Sequence, residues 1–369
     1  MSALAENAEV RTARRTGSAD HPTRPPSDDA VAALAAARRR RARRGLVVAL
    51  VLLAVVVGLW CASLVVGRTF YPPADVWRVL TGEEVQGASF TVGRLRLPRA
   101  TLAVVAGLCL GLGGVTFQTM LRNPLASPDI IGISAGASAA AAFAIIVLDL
   151  DGGQVSVVAV AAGLGIAVLI YLLSYRGGVA GTRLVLIGIG VAAMLDSVTS
   201  YLLDNAAQWD LQEAMRWLVG SLNGTTWSAV VPVAIALAVL GPVLLSRGRN
   251  LSALQLGDDA ARALGVRVER TRLTLVVAAV GLIAFATAAA GPIAFVAFLS
   301  GPIAARVVGP GRSLLVPAAL VGAVLVLVAD LAGQYAFGTR FPAGVITGVL
   351  GAPYLVYLIA RTDRAGGSL

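Results

Sequence analysis

Ten apolar runs, each near the roughly 20 residues a helix needs to cross a bilayer, recur along the chain and restrict its fold severely. They lie at 46–66, 98–120, 131–150, 154–174, 183–204, 228–246, 272–290, 292–308, 313–333 and 342–360. The runs are continuous rather than alternating, so they read as helices that satisfy their own backbone in hydrocarbon, not as barrel strands. With 57% of residues hydrophobic and 14% charged, a soluble core has too little polar surface to cover it. The expectation is an all-α, polytopic membrane protein whose ten-helix domain occupies 46–361.

Arginine placement orients it. Arg38–Arg44 (RRRRARR) directly precede the first run and hold the N-terminus in the cytoplasm. Counting ten spans onward places Arg176, Arg183, Arg247–Arg272, Arg312, Arg361 and the C-terminal tail 362–369 on the same side. The 67–97 segment then falls outside although it carries Arg68, Arg78, Arg94 and Arg96, which need a separate reason. Residues 1–45 are polar and unpatterned and read as a disordered basic tail.

All 30 basic residues are arginine. Without lysine the chain has neither a P-loop nor a Schiff base. Gly132–Gly136 (GISAG) matches the G-x-S-x-G nucleophile pattern. The one histidine is His21, in the tail, so Ser134 has no base and the segment reads as small residues at a helix interface. Cys61 and Cys109 lie within spans and read as packing residues. No pattern calls for a bound metal or cofactor.

The longest polar interruption runs from Arg247 to Arg272 and holds a short helix signal. Gly257 breaks the preceding pattern, Asp258 can cap a start, and Gly265 sits where a left-handed residue ends a helix. Asp259 and Arg262 suit the two ends of its dipole. A multispanning protein with one such helix on a basic inner loop holds it out to a partner. Within the spans, Asp196 and Asp330 are candidate proton carriers. Ser197, Thr199 and Ser200 near the first, and Gln334 near the second, offer a structural alternative. The glycines at 107, 111, 113 and 114 allow close helix approach. Two GPIA segments, Gly291–Ala294 and Gly301–Ala304, read as breaks giving bent or half helices beside a pathway.

In order along the chain, Arg96–Arg99 (RLPR), Asn123–Ala137 (NPLASPDIIGISAGA), Trp217–Leu222 (WLVGSL), Leu254–Val266 (LQLGDDAARALGV), Gly291–Gly309 and Phe341–Leu358 resemble the FecCD-type permeases. These are membrane subunits of bacterial ABC importers for iron–siderophore, cobalamin and haem, and the look is nearest the ferric-enterobactin type. The resemblance implies a ten-helix permease of the plasma membrane that catalyses no reaction itself. Its implied partners are ABC ATPase subunits, a second permease copy or paralogue, and an extracytoplasmic siderophore-binding protein; ferric siderophore is the cargo. Leu256, Gly257, Asp258, Asp259, Ala260, Arg262 and Gly265 correspond to the ATPase-coupling loop. Arg96 and Arg99 correspond to the binding-protein docking site. Three positions depart from the family: Gln334 stands where an arginine is usual, Arg340 where a glutamate is usual, and Pro302–Arg306 (PIAAR) lacks a histidine. Arg340 is thereby a third docking candidate. A carrier driven by protons through Asp196 or Asp330 is the competing reading.

Overall fold

The computed structural model describes residues 28–127, 132–174, 181–309 and 312–364. Arg176, part of the Asn123–Ala137 motif, and the end of the C-terminal tail lie outside them. The chain divides into two units, Met1–Gly45 and Leu46–Leu369.

Every regular element among the described residues is helical. α1 spans Asp28–Val65 and α2 Pro73–Leu80; a π-helical stretch, Ser89–Arg96, leads into α3, Leu97–Met120. Then come α4 (Ile133–Ile146), α5 (Gly152–Ser174), α6 (Gly181–Asp204), α7 (Gln208–Leu218) and α8 (Trp227–Ser246). α9 (Gly248–Leu254) and α10 (Asp258–Ala263) are short; α11 (Val268–Ala290), α12 (Val296–Val308), α13 (Leu315–Tyr335) and α14 (Ala343–Arg364) complete the order. Among the described residues seven helices are long and apolar enough to cross a membrane, and three shorter apolar ones coincide with the third, eighth and tenth expected runs. Residues 28–45, expected to be disordered, are helical instead: they are rich in alanine and arginine, two of the best helix formers.

α3 is the central helix. Its apolar stretch is 78% buried, against 11% for α1 and α6, and it packs on α13, α11, α12 and α8. The glycine-rich sequence causes this. Gly107 and Gly111 meet the α13 backbone at Ala323 and Ala318, and Gly114 meets the α12 backbone at Ala297, so closely that a Cβ would overlap each. Leu102, Val115 and Phe117 fill the space between with Leu275, Ile283, Val326 and Leu327.

The first GPIA segment does break a helix. α11 stops at Ala290, and the chain turns through Gly291 and Phe295, at φ 69° and 63°, before α12 begins. A phenylalanine there costs about 1–3 kcal/mol; Gly351 of α14 leaves room for its ring. The second GPIA segment does not end a helix: Pro302 lies inside α12. Proline has no N–H to give the carbonyl four residues back. Gln118 of α3 supplies it, donating from Nε2 to the Phe298 carbonyl at 2.8 Å.

Candidate coupling and docking sites

Two ion clusters sit at opposite ends of α3. At its start, the Arg99 guanidinium donates to both carboxylate oxygens of Asp330 on α13, at 2.7–3.1 Å. Arg99 Nη1 also donates to Asn223 Oδ1 at 2.6 Å, and Gln334 Nε2 donates to Asp330 Oδ2 at 2.7 Å. Asp330 retains 4% side-chain exposure and Arg99 17%. The loop that carries Asn223 binds two more helix ends: Ser221 N–H donates to the Ala290 carbonyl at 2.7 Å, and Gly344 N–H to the Gly220 carbonyl at 3.0 Å. This loop therefore joins α3, α11 and α14 at one level.

Both arginines carried over as docking residues are engaged internally. Arg99 neutralises Asp330, and releasing it would strand a buried carboxylate. Arg96 donates to the carbonyls of Leu64, Val65 and Thr69 at 2.7–3.1 Å and lies 5.2 Å from the Tyr71 ring centroid. It closes the C-terminal end of α1, where a cation and its fork of donors satisfy free carbonyls. These internal bonds account for part of the arginine surplus in the 67–97 segment. Arg78 is likewise compensated, by Glu83 at 2.6 Å and Asp75 at 3.9 Å. Arg68 and Arg340 are exposed. Their two loops adjoin, since the Tyr335 hydroxyl donates to the Val66 carbonyl at 3.4 Å.

The two intramembrane acids part company. Asp330 is an ion-pair partner whose arginine, 231 residues away in sequence, was not legible beforehand. Asp196 is exposed on α6, and the hydroxyls expected to satisfy it turn elsewhere. Ser197, Thr199 and Ser200 donate to the backbone carbonyls of Ala193, Leu195 and Asp196.

At the other end of α3 stands α10. Gly257 precedes it at φ 105°, and Gly265 follows at φ 82°, where its own N–H and that of Val266 bond back to Arg262 and Ala261. That is the left-handed closure its position predicted. The cap position falls on Gly257, one residue earlier than expected, and Asp258 is the first residue of the helix. Its carboxylate accepts from Arg272 Nη2 of α11 at 3.1 and 3.2 Å and lies 3.6 Å from Arg122 Nη2, just past α3. Ala261 is fully buried beneath it. Asp259 is fully exposed and paired only along the helix, with Arg262 at 2.9 Å. Leu256 and Leu264, at 67% and 65% exposure, flank the same short helix. α10 thus has a pinned inner side and an outer side of one acid, one base and two bare leucines.

Residues 52–361 match the model of the FecCD transport family. The chain belongs to the FecCD transport family. It is 40% identical over 317 residues to the ferric enterobactin transport system permease protein of Escherichia coli (strain K12), covering 85% of this chain and 95% of that one. It is 38% identical to the achromobactin transport system permease protein of Dickeya dadantii (strain 3937), covering 84% and 90%. A solved inward-facing structure of a metal-chelate type ABC transporter aligns with a TM-score of 0.76 at 25% identity, covering 85% of this chain and 98% of that one. As a member of this family the chain is a multi-pass transport permease of the plasma membrane.

Proposed function

We propose that this chain is the membrane-spanning subunit of an ABC importer for ferric siderophores, driven by a separate ATPase that seats on α10. The observation that carries the reading is the outer side of α10. In a protein otherwise suited to hydrocarbon, Asp259, Arg262, Leu256 and Leu264 project from a pinned helix, and nothing within the described chain covers them. Charge beside exposed leucine fits a protein groove better than water or lipid. Closure of the ATPase around nucleotide would then push α10 and alternate the access of the spans.

Purification of the tagged protein should bring down an ATPase chain bearing a P-loop, and Asp259→Arg should lose it while remaining monodisperse. An Asp259→Arg variant that retains the ATPase would remove this surface from the reading. A wild type that brings down none would remove the reading itself.

The relatives' named cargoes, enterobactin and achromobactin, support ferric siderophore as the substrate class. A second permease, copy or paralogue, would complete the pathway. Asp196 supports this: a carboxylate cannot stay against hydrocarbon, so the exposed side of α6 belongs against protein or a water-filled path. The proton-carrier reading loses one of its two acids to the Arg99–Asp330 pair.

Docking of an acidic binding protein falls to Arg340 and Arg68, two exposed cations on adjoining loops at the Arg99 end. Arg340→Glu and Arg68→Glu together should weaken capture of the binding protein at low ionic strength. The difference from wild type should shrink as salt approaches 1 M, where the screening length falls to about 3 Å. Equal capture at low salt would place docking elsewhere.

A further inference from the structure

The pinned side of α10 has its own consequence, which rests on the importer reading. We propose that Asp258, held between Arg122 and Arg272, is the joint through which movement of α10 reaches α3, and that α3 conveys it to the Arg99–Asp330 latch.

A joint must grip both the moving part and the parts it moves. Asp258 is the first residue of α10, and its two arginines lie on different helices: Arg272 in the first turns of α11, Arg122 two residues past the end of α3. The Arg272 side chain is 7% exposed, so its bond to Asp258 is sheltered from water and holds direction as well as charge. Arg122 takes a left-handed φ of 53°, and Gly257 faces its guanidinium at the α10 boundary. Displacing Asp258 therefore loads α3 and α11 together.

α3 is suited to carry the load. Its 24 residues make a rod about 36 Å long at 1.5 Å per residue. Its glycines lock it against the backbones of α12 and α13, and packed helices shift as units rather than deform. At the far end Arg99 grips Asp330 and Asn223, the latter on the loop that also binds the ends of α11 and α14. A displacement at Asp258 thus reaches a level where the ends of α3, α11 and α14 meet and α13 is gripped through Asp330. Asp259 and Arg262 take hold of the partner; Asp258 passes the motion on. It is a positioning residue and makes no contact with cargo.

The test uses the full permease–ATPase complex in cells lacking the native chain, supplied with radio-iron in their own iron-starved culture medium. Asp258→Asn should keep the ATPase in the pull-down yet lower iron uptake on the order of tenfold, within the 5–150-fold usual for coupling between sites. Arg122→Gln, a change at a half-exposed side chain, should act in the same direction. The double variant should fall no further than Asp258→Asn alone, because both changes remove one link.

Wild-type uptake with Asp258→Asn overturns the proposal. So does loss of the ATPase from that variant, which would make Asp258 part of the docking surface. Should Asp258→Asn fail to fold, Arg122→Gln decides, and normal uptake there overturns it. All these outcomes presuppose that the wild type brings down an ATPase, so failure of the importer reading is seen separately.

Discussion

Arg99→Met should remove most of the folded protein from detergent extracts, and Arg99→Met with Asp330→Leu should restore much of it. The single change leaves a carboxylate with 4% side-chain exposure and no cation, a loss of about 3–5 kcal/mol for a broken buried pair. Against a typical total stability of about 5–15 kcal/mol, that is a large fraction. The double change removes both charges and leaves two apolar side chains of similar reach, which for buried pairs is often neutral or stabilising. Gln334 then loses its acceptor at Asp330, so recovery should be incomplete. The monodisperse fraction and the thermal midpoint measure both. The same pair of variants separates three roles for these residues. Were Arg99 a docking residue, the single variant would fold normally and lose only the binding protein. Were Asp330 a proton carrier, the double variant would fold and transport nothing. As a structural latch, it should fold and retain transport.

Gly111→Val should be nearly as damaging, for a steric reason. A Cβ at Gly111 would overlap the carbonyl of Ala318, and Gly322 of α13 already abuts α3 at Gly107 and Gly111. A backbone cannot move aside as a side-chain tip can, so α3 and α13 must separate along the contact. Overpacking costs about 1–3 kcal/mol where neighbours relax, and here relaxation sacrifices further contacts of the central helix. The expected result is loss of the monodisperse peak. Gly165→Ala on α5 is the control, since no atom lies within 4 Å of its added Cβ. It should fold like the wild type or slightly better, because alanine is the stronger helix former. Equal damage at both positions would mean that helix composition, rather than the α3–α13 approach, sets the sensitivity.

Much of this architecture is legible in the residues because it follows from local rules. Apolar length marks the helices, and Gly265 closes α10 where left-handed geometry is needed. The glycines of α3 announce close packing, although they do not name the partner. The first GPIA segment marks a real break, whereas the second is carried inside α12 because Gln118 repairs its hydrogen bonding. That repair spans 180 residues of sequence, and no local pattern points to it. The partners of the charged residues are hidden from the sequence for the same reason. Arg96 and Arg99 stand in a motif that resembles a docking site, yet their bonds run to the end of α1 and to α13. Arg122 and Arg272 carried no signal of their own, and a single acid, Asp258, makes them a joint.

By itself, then, the sequence determined that the chain is helical, that it lives in a membrane, and that it presents one capped helix on a basic loop. Each of these depends on properties summed over neighbouring residues: apolar length, helix-forming composition and glycine at a chain reversal. Only the tertiary structure decided which charges are spent internally and which remain for a partner. An ion pair depends on where two side chains meet in space, and residues at opposite ends of the sequence meet only after the helices have packed.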